Sequence, residues 1–157
     1  MDLTNFRRTE KTTMISNIKK NPMKRLIFFI LLCTLIAFNC IKTFAANELN
    51  GTWVPVKQEM NGTLFPDSIL MNQQLIIKDS TYTVIMNATD QGTISYNGNH
   101  MDINSTEGVN KGKHFTAIYK LENDKLVICY NLAGDSYPEN FETIDHPTFF
   151  LSVFRRK

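Results

Sequence analysis

The stretch 101–134, MDINSTEGVNKGKHFTAIYKLENDKLVICYNLAG, constrains the fold more than any other part of the chain. Its side chains alternate with period two: Phe115, Ala117, Tyr119 and Leu121 fall on one face of an extended segment, and His114, Thr116, Ile118 and Lys120 on the other. After Asn123-Asp124 the pattern resumes, with Leu126, Ile128 and Tyr130 on one side. Two amphipathic strands joined by a pair of turn residues predict an antiparallel hairpin.

The same alternation recurs through the rest of the chain, and strands are expected at 51–60, 73–78, 81–86, 92–96, 100–105, 113–121, 125–131 and 148–155. Within 46–157 no helical periodicity is longer than 66–72 (PDSILMN). Asp79-Ser80, Ala88-Thr89-Asp90 and Asn97-Gly98-Asn99 supply further short turns. Hairpins in series give an up-and-down meander, and closing eight such strands removes both exposed edges. The expected fold is all-β, an eight-stranded antiparallel up-and-down barrel. The longer connections, 61–72 and 132–147, are expected at its rim.

Alternation also proposes an interior. Tyr82, Val84 and Met86 share a face, as do Met101, Ile103 and Ser105. The candidate lining is Tyr82, Met86, Met101, Phe115, Tyr119 and Tyr130, an aromatic and Met-bearing set suited to a small apolar or amphipathic molecule.

Residues 26–38 (LIFFILLCTLIAF) form an apolar run preceded by Lys24-Arg25 and followed, a few residues on, by Thr43 and Ala45, the layout of a secretory signal peptide cut after Ala45. A membrane-spanning helix needs about 20 apolar residues, so stable membrane insertion after processing is not expected. The domains are then 1–45, an extension with its signal, and 46–157, the barrel, in the periplasm or outside the cell. The alternatives are a signal left uncut, or a lipid anchor at Cys40, where Asn39 departs from the small residue such a site takes. The polar stretch ahead of Met23 is longer than an ordinary leader start, which makes Met14 or Met23 alternative first residues.

Removing the leader's eight Lys and Arg and two acids from the chain's 17 and 15 leaves nine basic and thirteen acidic residues, a net charge of −4. An acidic domain argues against nucleic acid as a partner. Cys33 and Cys40 leave with the leader, and Cys129 in its apolar strand reads as a buried, inert thiol.

Gly51-Thr52-Trp53, Asp102-Ile103, Glu107-Gly108, Lys111-Gly112-Lys113, Ala117-Ile118-Tyr119-Lys120-Leu121, Asp124 through Tyr130 and Pro138 together resemble a family of small bacterial proteins with a lipocalin-like (calycin-type) domain. The sequence departs from that pattern at Tyr137, where the family commonly has Arg, and in lacking a proline before Met101. The resemblance implies that Trp53 closes the barrel floor and that a basic residue of the last strand packs on its indole. Arg155 or Arg156 matches that residue, and Arg155 is the one expected, as the choice favoured if Phe149, Leu151 and Val153 point inward. Trp53 and Arg155 are then structural, not catalytic.

No motif for chemistry stands out. Glu107-Gly108 through Lys113-His114 has three residues between its glycines, no hydroxyl residue after the Lys, and a strand where a phosphate loop opens a helix. His100, His114 and His146 lack metal-ligand spacing, and pairing Ser105 with Lys113 sets Asn104 beside His114 and Asp102 beside Thr116 on the face assigned to solvent. There is no Gly-x-Ser-x-Gly elbow. No metal, cofactor or catalytic group is therefore expected. An envelope protein that binds a small apolar ligand is the leading expectation. A packed barrel serving as a protein-interaction or inhibitor module is the alternative, and an enzyme built at the rim from Asp135, Glu139, Asp145 and His146 is the third.

Overall fold

The computed structural model describes residues 48–157; the expectations for the signal peptide, its cleavage point and Cys40 lie outside them. The elements are β1 (Gly51–Met60), β2 (Thr63–Leu64), α1 (Asp67–Leu70), β3 (Gln74–Lys78), β4 (Thr81–Ile85), β5 (Thr89–Asn97), β6 (His100–Gly108), β7 (His114–Glu122), β8 (Lys125–Asn131) and β9 (Phe149–Arg156). From β3 to β9 each strand pairs with the next, and β1 pairs with both β3 and β9. Eight antiparallel strands thus close a barrel, and β2 merely folds back on the end of β1 through Glu59 and Leu64.

Turn chemistry places the hairpins. Asn123 and Asp124 take φ of 50° and 59°, the double positive-φ turn whose twist matches that of its strands, and Asp79 at 54° and Gly98 at 61° serve the other short turns. Ala88-Thr89-Asp90 is not wholly turn, because β5 already runs from Thr89 and sets Asp90 opposite Val84. The expected pairing of Asn104 with His114 and Asp102 with Thr116 is present.

Directly opposed residues of antiparallel strands share a face. On β4, β6, β7 and β8 the inward faces are those expected. On β9 they are reversed: Phe150 opposes Tyr130, Ser152 opposes Ile128 and Phe154 opposes Leu126, so these three face the interior while Phe149, Leu151 and Val153 face out. The cause is a second apolar layer. The connection 132–148 starts at the rim, where Leu132 borders the interior, and then lies against the outer wall, where Tyr137 and Phe141 pack on Ile118, Cys129 and Leu151. Thr116 and Ile118, expected in solvent, are buried beneath it. Polar bonds pin this cover: the Tyr137 hydroxyl donates to Asp102 Oδ2 at 2.7 Å, the Thr116 hydroxyl donates to the Ser136 carbonyl, and the Thr143 hydroxyl donates to Glu59.

The interior core is gathered at one end around Trp53, which is fully buried and donates its Nε1–H to the Leu49 carbonyl at 2.8 Å. The cation on its indole is Arg156, with the guanidinium carbon 4.3 Å from the ring centroid, and not Arg155. The corrected parity explains this, since Arg156 opposes Trp53 while Arg155 opposes Val54 on the outer face. Arg156 also donates to the carbonyls of Asn50 and Glu48. Gly51 has φ of 140°, and a Cβ there would stand 2.6 Å from Arg156 Nη1, so the glycine of Gly-Thr-Trp makes room for the guanidinium. Further along β1 the ladder slips at Val56, a bulge that moves the inward face from Trp53 and Pro55 to Gln58 and Met60.

Candidate functional site

In an up-and-down barrel alternate connections fall at opposite ends. The tight turns after β3, β5 and β7 share the end with Trp53 and Arg156. The connections after β1, β4, β6 and β8 meet at the other end, and there the barrel is not filled. A cavity of about 490 Å³ runs inward from them. That volume lies within the range of sites that hold one small organic molecule.

The lower walls are apolar, formed by Leu75, Ile77, Ile94, Met101, Ile128 and Phe154. Nearer the opening an aromatic group takes over: Phe150 lies 5.8 Å from Phe65 and 5.9 Å from Tyr130, ring centre to ring centre. Ile69 of α1 and Met86 border the mouth and are about half exposed.

Polar groups on the walls are few and arranged in two places. On β1, the Gln58 side-chain amide donates to Gln73 Oε1 at 2.8 Å and lies 3.4 Å from the Ser152 hydroxyl. On β5, the Asp90 carboxylate accepts the Tyr82 hydroxyl at 2.7 Å, the Ser105 hydroxyl at 3.1 Å and the Asn110 backbone N–H at 2.9 Å. Asp90 is only 4% exposed. Gly92 makes this arrangement possible, because a Cβ there would come within 2.8 Å of the Tyr82 ring and collide with the Asn104 carbonyl. Burial, reinforced by the contact with Asp90, pushes the Tyr82 phenol up to about 12, and burial also raises Tyr130. Both phenols are protonated at neutral pH. At the mouth Lys113 donates to Asn110 Oδ1 at 3.1 Å.

Of the residues expected to line the interior, Tyr82, Met86, Met101, Phe115 and Tyr130 border the cavity. Tyr119 does not. It faces inward as expected, but it sits below the cavity, edge-on to Tyr96 at 5.9 Å, with its hydroxyl donated to the Gly98 carbonyl. Strand parity gives a side chain's face and says nothing of its depth. Phe150 and Phe154 were missed through the reversed parity of β9, and Asp90 through being read as turn. The alternation of Phe150, Ser152 and Phe154 with Arg156 was a signal that could have recovered the first two.

The polar group on the outer wall has a different role. His114 Nε2 lies 3.2 Å from Asp102 Oδ1, Tyr137 bonds the other carboxylate oxygen, and His100 stacks on the Tyr137 ring at 4.2 Å. This assembly fastens the covering connection to β6 and β7. Asp135 is bound to the Asn131 amide at 2.8 Å, and His146 stacks on Phe149 at 4.5 Å. Among the described residues no three His, Cys, Asp or Glu side chains converge on a point that could hold a metal ion. Burial pushes the Cys129 thiol up to about 11, as befits an inert side chain. Among the described residues no helix is long and apolar enough to cross a membrane.

Comparison with protein-family profiles and with curated protein sequences finds no match for this chain.

Proposed function

We propose that this protein binds one small apolar or amphipathic molecule within its barrel, after export from the cytoplasm directed by the extension and signal peptide of 1–45. The observation that carries this reading is the cavity itself, about 490 Å³ with mainly apolar walls and a few fixed polar groups. A lipocalin-like carrier has this economy: apolar burial supplies affinity, and isolated polar groups orient the ligand. The role proposed is binding, without catalysis.

A second reading, a surface module for another protein, draws on exposed Leu64, Met71 and Ile144 in the connections near the open end. The two readings diverge in what the purified protein carries. The test is native against denaturing mass spectrometry on protein taken without detergent from its own envelope or culture fluid. A native mass exceeding the denatured one by a discrete few hundred daltons is expected for a carrier. Equal masses, together with no uptake of dodecanol, would overturn the carrier reading. The denatured mass also reads out the cleavage point and any lipid on Cys40.

A further inference from the structure

The cavity contains one carboxylate whose setting is informative. Asp90 is on the inner face, opposite Val84, and both residues border the cavity. Its three donors, the Tyr82 and Ser105 hydroxyls and the Asn110 N–H, are all neutral. Among the described residues none of the ion pairs involves it. A carboxylate offers about four acceptor positions. Oδ1 takes two donors and Oδ2 takes one, which leaves a position on Oδ2 beside the Tyr82 hydroxyl.

A charge withdrawn from water and balanced only by neutral hydrogen bonds favours a positive group brought to it, and in an apolar cavity that preference is strong. Lys113 borders the same cavity but forms no ion pair with Asp90. Its amine is at the exposed mouth and bonds Asn110 Oδ1, so its field is screened by solvent. Tyr82 and Tyr130 are protonated hydroxyls that can accept as well as donate, compatible with a head group rich in donors.

Resting on the carrier reading above, we infer that the ligand is a cationic amphiphile whose protonated amine meets Asp90 beside Tyr82. Its hydrocarbon part lies among Ile94, Met101, Ile128 and Phe154. An anionic head at the same place would set like charge against Asp90, and a neutral alcohol would make the hydrogen bond without the charge attraction.

Three probes with one tail and different heads separate these cases: dodecylamine, dodecanol and dodecanoate, titrated calorimetrically at neutral pH into protein whose native and denatured masses agree. An alkylamine is protonated there. The expected order is amine, then alcohol about tenfold weaker, then carboxylate weakest, and Asp90→Asn brings amine and alcohol to within about threefold of each other. Equal binding of all three would overturn the head-group inference and leave the cavity reading standing. Dodecanoate binding tightest, with the advantage lost in Lys113→Gln, would overturn it in favour of an anionic head at the mouth. Failure of all three to bind would overturn both. If Asp90→Asn does not fold, the order measured with the unmodified protein decides alone.

Discussion

The guanidinium of Arg156 covers the indole of Trp53 at 4.3 Å while donating to two backbone carbonyls of the segment that leads into β1. One side chain therefore joins the end of the last strand to the beginning of the first. Arg156→Ala is expected to cost about 1–3 kcal/mol of unfolding free energy, from the lost cation–π contact and charge-assisted hydrogen bonds. Arg155→Ala, on the outer face, is expected to stay within about 0.5 kcal/mol. Urea melts of the two variants decide, and a larger loss from Arg155→Ala would refute the assignment. Trp53→Ala is expected to cost about 3–5 kcal/mol, and an unchanged melt would remove Trp53 from the floor.

Gly51→Ala is expected to destabilise by about 1–3 kcal/mol, because its φ of 140° strains any other residue and the new methyl meets Arg156 Nη1. Removing the guanidinium relieves one of these two costs. The double variant Gly51→Ala/Arg156→Ala should thus lose less than the two singles together, by about 0.5 kcal/mol or more. Strict additivity in the thermodynamic cycle would mean that the two residues do not touch.

Phe150 and Tyr119 differ in depth, and ligand titration should separate them. Phe150→Ala removes an aromatic wall and is expected to weaken dodecanol binding about tenfold. Tyr119→Phe loses the bond to Gly98 below the cavity; it is expected to cost about 1 kcal/mol of stability and leave affinity unchanged. Equal effects on affinity would show that the bound molecule reaches the barrel floor.

Cys129 gives a pH signature. Its folded-state value near 11 is above the ordinary 9, so the unfolded chain releases this proton first as pH rises. The thiol's contribution is complete below pH 9 and is lost between pH 9 and 11, on the order of 2–3 kcal/mol. Tyr82, raised from 10 to about 12, extends the loss to higher pH. Cys129→Ala should flatten the first part of the alkaline decline in urea midpoint, and an unaltered pH curve would contradict the burial of the thiol.

The cover on the outer wall can be followed by labelling the same thiol. Iodoacetamide is expected to leave Cys129 unmodified in the native protein. Tyr137→Phe, which breaks the bond to Asp102, should accelerate labelling several-fold without moving the melting midpoint by more than a few degrees. Rates that track global unfolding in both proteins would show that the cover does not open by itself.

The meander was legible in the sequence because its turns carry their own chemistry: Asn123-Asp124, Asp79-Ser80 and the Gly98 turn fix the hairpins with little help from the rest of the chain. Faces were legible where only one side of a strand is apolar, as on β6. They failed on β9, because Leu151 and Phe149 are covered by the outer layer while Phe150 and Phe154 face the interior. Asp90 was illegible for a related reason. A carboxylate beside Ala88-Thr89 looks like turn residue, and only the tertiary approach of Tyr82, Ser105 and Asn110 makes it an inward group. Distance along the barrel axis, which separates Tyr119 from Tyr130, leaves no trace in a period of two.

The seam between β1 and β9 brings a timing problem to biosynthesis. Arg156 reaches back 106 residues to Asn50, so the strand that seals the barrel is made long after the strand it seals. Until β9 arrives, β1 and β8 are open edges with unpaired backbone groups, and the Trp53 side chain lacks its cover. A chain truncated before Phe149 would therefore be a sticky sheet in place of a barrel, a species for chaperones or proteases to clear.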